Sequence, residues 1–145
     1  MSQQRNPLEN PPSHLDIKGT GISIKILKSG DDRYFPSPHS TVSVHYEAFI
    51  STDLTKPLDS SRERNEPFVF TIGKGQTVCG FEVGVFNLSL GMMAEITVPF
   101  SAAYGEMGHE PIVPPQATLV YKIELIDFTD EQEDKTYDSS DIERV

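Results

Sequence analysis

Hydrophobic side chains recur at every second residue in four separate stretches, and this period constrains the fold more than any other feature of the chain. Val42, Val44, Tyr46, Ala48 and Ile50 alternate with Ser43, His45, Glu47 and Phe49. Phe68, Phe70 and Ile72 repeat the pattern around Val69 and Thr71, and Ala94, Ile96 and Val98 around Glu95 and Thr97. Leu119, Tyr121, Ile123 and Leu125 repeat it around Val120, Lys122 and Glu124. Successive side chains of a strand point to opposite faces, so each stretch reads as a strand with one face inward. A weaker strand, residues 22–27, precedes them. The period breaks once: Val78, Phe81, Val85 and Leu88 are spaced three, four and three, the face of a short helix. Gly91 follows where a helix stop is expected, and Gly80 and Gly84 weaken the helix, so packing must hold it. The expected architecture is α+β, an antiparallel sheet of about five strands wrapped on one short helix. Periodicity does not set the strand order.

The regions on either side differ in character. Residues 1–18 are polar and proline-rich, and we expect a disordered arm. Residues 130–145 carry seven Asp or Glu against Lys135 and Arg144, half of the formal net charge of −10, and read as an acidic disordered tail or linker. One domain is expected over residues 19–129. The acidity argues against nucleic acid as a partner, because phosphate contacts need clustered Lys and Arg. No run of about 18 apolar residues is present, and the first residues lack an apolar signal region, so no membrane association is expected. The single Cys79 cannot form an internal bridge, which fits a reducing, cytoplasmic setting. Neither it nor His14, His39, His45 and His109 has metal-ligand spacing.

Residues 102–121 join two of the strands. This segment holds Tyr104, two glycines (Gly105, Gly108) and three prolines (Pro111, Pro114, Pro115). Glycine permits bends and proline fixes φ, so the loop is ordered by its own sequence. Here the chain resembles the FK506-binding-protein (FKBP) family of peptidyl-prolyl isomerases, which carries an Ala-Tyr-Gly…Gly-His…Ile-x-Pro-Pro-x-Ala-x-Leu segment. Three further motifs stand in the family's order. They are Val-His-Tyr-Glu-Ala (44–48), Leu-Asp-Ser-Ser-Arg-Glu-Arg-Asn-Glu-Pro-Phe-Val-Phe (58–70) and Gly-Lys-Gly-Gln-Thr-Val-Cys-Gly-Phe-Glu-Val-Gly-Val (73–85). The resemblance covers roughly residues 19–128.

The resemblance implies a peptidyl-prolyl cis–trans isomerase that assists protein folding, needs no cofactor, and acts on proline-containing polypeptides. It also implies binding of the macrolides tacrolimus and rapamycin. Its pocket would lie between the helix and the sheet. Tyr46, Leu58, Asp59, Phe68, Thr77, Val78, Tyr104, His109, Val113 and Tyr121 would form the walls, and Phe81 the floor. The backbone N–H of Val113 and the hydroxyl of Tyr104 would hydrogen-bond the substrate, and Asp59 would sit partly buried beside Arg64, near the rotating carbonyl. Asp59 also reads as a turn residue before Ser60 and Ser61, and both readings stand at this point. Phe70 and Phe86 read as core packing.

The chain departs from the family where Phe81 replaces tryptophan, Leu58 replaces phenylalanine and Thr77 replaces an aliphatic residue. A wider, slightly less apolar cleft is expected. These departures support a competing reading, a non-catalytic docking module. In that reading the acidic tail would lead to tetratricopeptide helices that bind a heat-shock chaperone. Other chemistries find little support. His45, Asp59 and Ser60 lack a nucleophile elbow, Gly73-Lys74-Gly75 lacks the remainder of a phosphate loop, and Pro111–Pro114 lies inside a constrained loop rather than a free PxxP segment.

Overall fold

The computed structural model describes residues 14–129. Its chain order is β1 (His14–Ile17), β2 (Ile22–Lys28), β3 (Thr41–Ile50), β4 (Asp59–Ser60), β5 (Phe68–Thr71), α1 (Cys79–Phe86), β6 (Met93–Val98), a short 3-10 turn (Phe100–Ala102) and β7 (Leu119–Thr129). Seven strands form one sheet in the order β1-β2-β6-β7-β3-β4, with β5 also paired to β3. Every pairing is antiparallel. The α+β class with one helix stands, and the strand count rises from about five to seven. The two additions, β1 and β4, span four and two residues, too short to show a period.

β1 also takes residues 14–17 out of the segment read as an arm, pairing Leu15 with Ile24 and Ile17 with Ile22. Residues 1–13 of that arm and the acidic tail lie outside the described residues.

β3 organises the half of the sheet that carries the cleft. One edge runs along β7, placing Ala48 opposite Tyr121 and Ile50 opposite Leu119. The other edge is shared: β5 takes Thr41 to Val44, and β4 takes Glu47 and Ala48. Tyr46 falls between these two short partners, flanked by Phe68 from one and Asp59 from the other.

α1 lies on the inner face, where Phe81, Val85 and then Leu88 join Ile24, Val44, Ile96, Val98, Ile123 and Leu125 in the core. Its Val78 cap makes no side-chain hydrogen bond, and a helix of this length is marginal alone. Close packing holds it. A Cβ at Gly80 would stand 2.2 Å from Val98 Cγ1, and one at Gly84 2.6 Å from Ile96 Cδ1. The two glycines that weaken the helix are what let it press against β6.

The helix ends earlier than the spacing suggested. Asn87 closes it, its N–H donating to Gly84 O and its side-chain amide to Val83 O at 2.8 Å. Gly91, at φ 85°, instead turns the chain into β6, its N–H bonded to Leu125 O at 2.9 Å. Phe70 is core, but Phe86 on the last turn is 39% exposed, a correction to the core reading.

Candidate active site

An open cleft of about 400 Å³ lies between α1, the inner face of β3 and β7, and the loop after the 3-10 turn. All eleven side chains named from the sequence line it: Tyr46, Leu58, Asp59, Phe68, Thr77, Val78, Phe81, Tyr104, His109, Val113 and Tyr121. Phe81 is the buried floor, 3% exposed. Tyr46 and Tyr121 meet it edge-on, with ring centroids 5.4 and 5.0 Å away. Phe68 stands at 6.1 Å on a third side. Edge-to-face contacts set the positive rim of one ring against the negative face of the next, fixing the floor as a rigid apolar surface.

The polar groups lie at one wall. The Tyr46 hydroxyl donates to one oxygen of Asp59, and the Arg64 guanidinium donates to the other. Arg64 also reaches the Tyr46 hydroxyl at 3.3 Å and lies over the Tyr46 ring, 5.8 Å from its centroid. Of the two sequence readings of Asp59, this is the arginine-paired one. Its side chain is 46% exposed, so it sits partly buried at the mouth of the cleft. Partial desolvation pushes the Asp59 carboxyl up, but hydrogen bonds from Tyr46 and then Arg64 outweigh it and hold the group below the usual aspartate range. Burial, followed by the bond to Asp59, raises the Tyr46 phenol.

The opposite wall is the glycine- and proline-rich loop, which closes on itself. His109 and Val113 exchange both backbone hydrogen bonds, at 2.7 and 2.9 Å, around a cis Glu110–Pro111 peptide. Gly108, at φ 74°, fits because a Cβ there would meet the Val113 carbonyl at 2.5 Å. The Tyr104 ring stacks on His109 with centroids 5.4 Å apart. The Val113 N–H is thus committed to His109 O, which corrects its expected role as a substrate donor. The Val78 N–H, on the same cleft, has no acceptor among the described residues: it precedes the first helical turn, where amides are left over.

Residues 32–126 match the family described as FKBP-type peptidyl-prolyl cis-trans isomerase. The chain belongs to that family. A relative in Debaryomyces hansenii, "FK506-binding protein 1", is 40% identical over 103 residues, 71% of this chain and 90% of the relative. Among solved structures, the "N-terminal domain of FKBP42 from Arabidopsis thaliana" superposes with a TM-score of 0.75 at 27% identity, covering 86% of this chain and 98% of that one. Family membership carries the reaction: this FKBP is a peptidyl-prolyl cis–trans isomerase.

Four cleft residues of this FKBP were missed from sequence: Ala48, Gln76, Ile112 and Leu119. Ala48 and Leu119 carried the inward period, but alternation cannot tell which part of an inner face stays open. Gln76 is fixed by accepting the Thr71 N–H at 2.8 Å, a contact with no sequence signature. Ile112 stands beside Val113 and is 54% exposed.

The alternative chemistries do not assemble. His45 Nδ1 pairs with the fully buried Ser61 Oγ at 2.9 Å, while Ser60 Oγ accepts the Glu63 N–H. Among the described residues no three His, Cys, Asp or Glu side chains group as metal ligands, and no helix is long and apolar enough to cross a membrane.

Proposed function

We propose that the cleft over Phe81 is where this FKBP rotates the X-Pro bond, and that it acts by desolvation and shape without acid–base chemistry. The observation that carries this reading is the joining of a closed aromatic floor to donors with no acceptor among the described residues, the Val78 N–H and the Tyr104 hydroxyl, on facing walls. The barrier to amide rotation, about 18–20 kcal/mol, is the resonance of the planar C–N bond. The twisted amide has lost that resonance and is less dipolar. Moving the bond from water to an apolar cleft therefore costs the planar form more than the twisted one. Val78 and Tyr104 hold the peptide on either side, and the ionised Asp59, kept charged by Tyr46 and Arg64, faces the turning carbonyl from the mouth. Each tenfold of rate requires about 1.36 kcal/mol of such selective stabilisation.

The same cleft would take tacrolimus and rapamycin, with the pipecolyl ring over Phe81 and a carbonyl on the Val78 N–H. The single, exposed Cys79 supports a reducing, cytoplasmic setting.

An isomerase assay on an X-Pro peptide series tests the assignment. Tyr104→Phe should lower kcat/KM modestly, by the loss of one hydrogen bond of about 1 kcal/mol. Phe68→Ala should lower it further by opening the apolar wall. The rate should be nearly flat from about pH 6 to 8, since no group exchanges a proton. Wild-type rates in Phe68→Ala would refute the cleft as the place of rotation, and no acceleration by the wild type over spontaneous isomerisation would leave the docking reading.

A further inference from the structure

One hydroxyl of a buried residue lining the cleft has no hydrogen-bond partner among the described residues. Of the cleft hydroxyls, Tyr46 donates to Asp59, Thr77 donates to the Val78 carbonyl at 3.2 Å, and Tyr104 stands at the rim, 40% exposed. Tyr121 is different. The residue is 6% exposed, yet its hydroxyl has no hydrogen-bond partner among the described residues. Its ring lies edge-on against the Phe81 floor at 68°, and the charged and polar groups it senses are Tyr104, Tyr46 and Asp59, all residues of the cleft. A phenylalanine would supply the same ring contact without desolvating an oxygen. The Tyr121 oxygen is not sealed off, because the only fully buried side-chain oxygen without a partner among the described residues is Glu82 Oε2. It belongs to a residue that lines the cleft, and a largely desolvated donor left open to a binding cleft is one that a ligand can satisfy.

We propose that the Tyr121 hydroxyl is a catalytic donor that hydrogen-bonds the prolyl nitrogen of the twisted X-Pro bond. This rests on the cleft being the site of rotation. In the planar amide the nitrogen lone pair is delocalised into the carbonyl and accepts nothing. As the bond twists, the pair localises on a pyramidal nitrogen and becomes an acceptor. A donor on the floor therefore makes its bond only at the top of the barrier, which is the condition for raising kcat. A donor to the carbonyl oxygen would do the reverse, favouring the planar form in which that oxygen is most negative. No proton is transferred and no covalent bond breaks beyond the lost conjugation. The phenol remains a donor throughout: burial first, then Tyr104, Tyr46 and Asp59, hold its pKa above the ordinary tyrosine value.

The experiment compares wild type, Tyr121→Phe and Phe68→Ala on X-Pro peptides, with thermal melts alongside. Tyr121→Phe should lower kcat about five- to tenfold with KM unchanged and the melting temperature retained or raised. An unchanged kcat overturns the proposal, and so does a loss that resides in KM. Should Phe68→Ala lower activity while Tyr121→Phe does not, this inference fails and the cleft assignment survives. Normal activity in Phe68→Ala removes both. Site-specific 3-fluorotyrosine at position 121 keeps the packing and strengthens the donor, so in mildly acidic buffer kcat should rise. No rise would overturn the role even if Tyr121→Phe failed to fold.

Discussion

Gly80→Ala sets helix propensity directly against packing. Propensity alone favours alanine over glycine inside a helix by about 1 kcal/mol. The geometry opposes it. The added Cβ would stand 2.2 Å from Val98 Cγ1 and 3.0 Å from both Val98 Cγ2 and the Ala102 carbonyl. Ordinary carbon–carbon contact is about 3.5–4.0 Å, so α1 must withdraw by more than about 1 Å. Val98 cannot yield, because it is fully buried and β-branched, with a stiff χ1. Overpacking costs about 1–3 kcal/mol, and a 2.2 Å approach to a side chain that cannot move belongs to the upper half of that range, above the propensity gain. We expect a net loss of about 1–2 kcal/mol and a midpoint several degrees lower. The helix would carry Val78 and Phe81 with it, so kcat/KM should fall as well. Gly84→Ala provides the contrast. Its Cβ meets the terminal methyl of Ile96 at 2.6 Å, which can swing away, but also the branched Cγ2 of that buried residue at 3.1 Å, so the loss should be smaller than for Gly80→Ala but not zero. Urea denaturation followed by circular dichroism measures both. A Gly80→Ala protein as stable as wild type would refute the claim that these glycines exist for close approach.

Two further outcomes follow from the cleft. Arg64→Gln should raise the Asp59 titration toward the ordinary aspartate value of about 3.9, read by carboxyl carbon NMR against pH. Because the folded value is depressed, the stabilisation from Asp59 is fully present above the ordinary value and is lost as pH falls through the lower folded one. An unmoved titration would show that Arg64 does not hold the carboxylate. Phe81→Trp should tighten tacrolimus binding by about 1 kcal/mol in titration calorimetry, because the larger ring extends stacking area into the cleft. Equal or weaker binding would count against Phe81 as the floor under the ligand.

The long strands and the helix were legible because their side chains repeat at the period of the backbone. The short ones were not. β1 contributes only Leu15 and Ile17 to a polar segment, and β4 is a two-residue bridge with no apolar signal. Phe49 shows the limit of alternation: it points away from the helix as expected, yet it is 6% exposed, with the Lys122 ammonium 5.9 Å from its ring. The cleft lining could be named because four motifs in order carry the resemblance to the FKBP family, which implies those residues. Which backbone amide remains free could not be, since every non-proline residue has one and only the loop's closure shows that Val113 has used its own.

β7, the last of the described strands, lies near the middle of the sheet between β6 and β3. Until it arrives, the two halves of the sheet have no common edge: β1, β2 and β6 stand on one side, and β3, β4 and β5 on the other. A growing polypeptide can therefore prepare both halves but cannot join them, and the cleft lacks Tyr121 until the final strand is inserted. Synthesis proceeds at about 5–20 residues per second, so the unfinished halves wait for seconds with unpaired edges. An enzyme that shortens the waiting time of other chains thus passes its own synthesis in two open pieces, and a stop codon within β7 would leave both with nothing to close them.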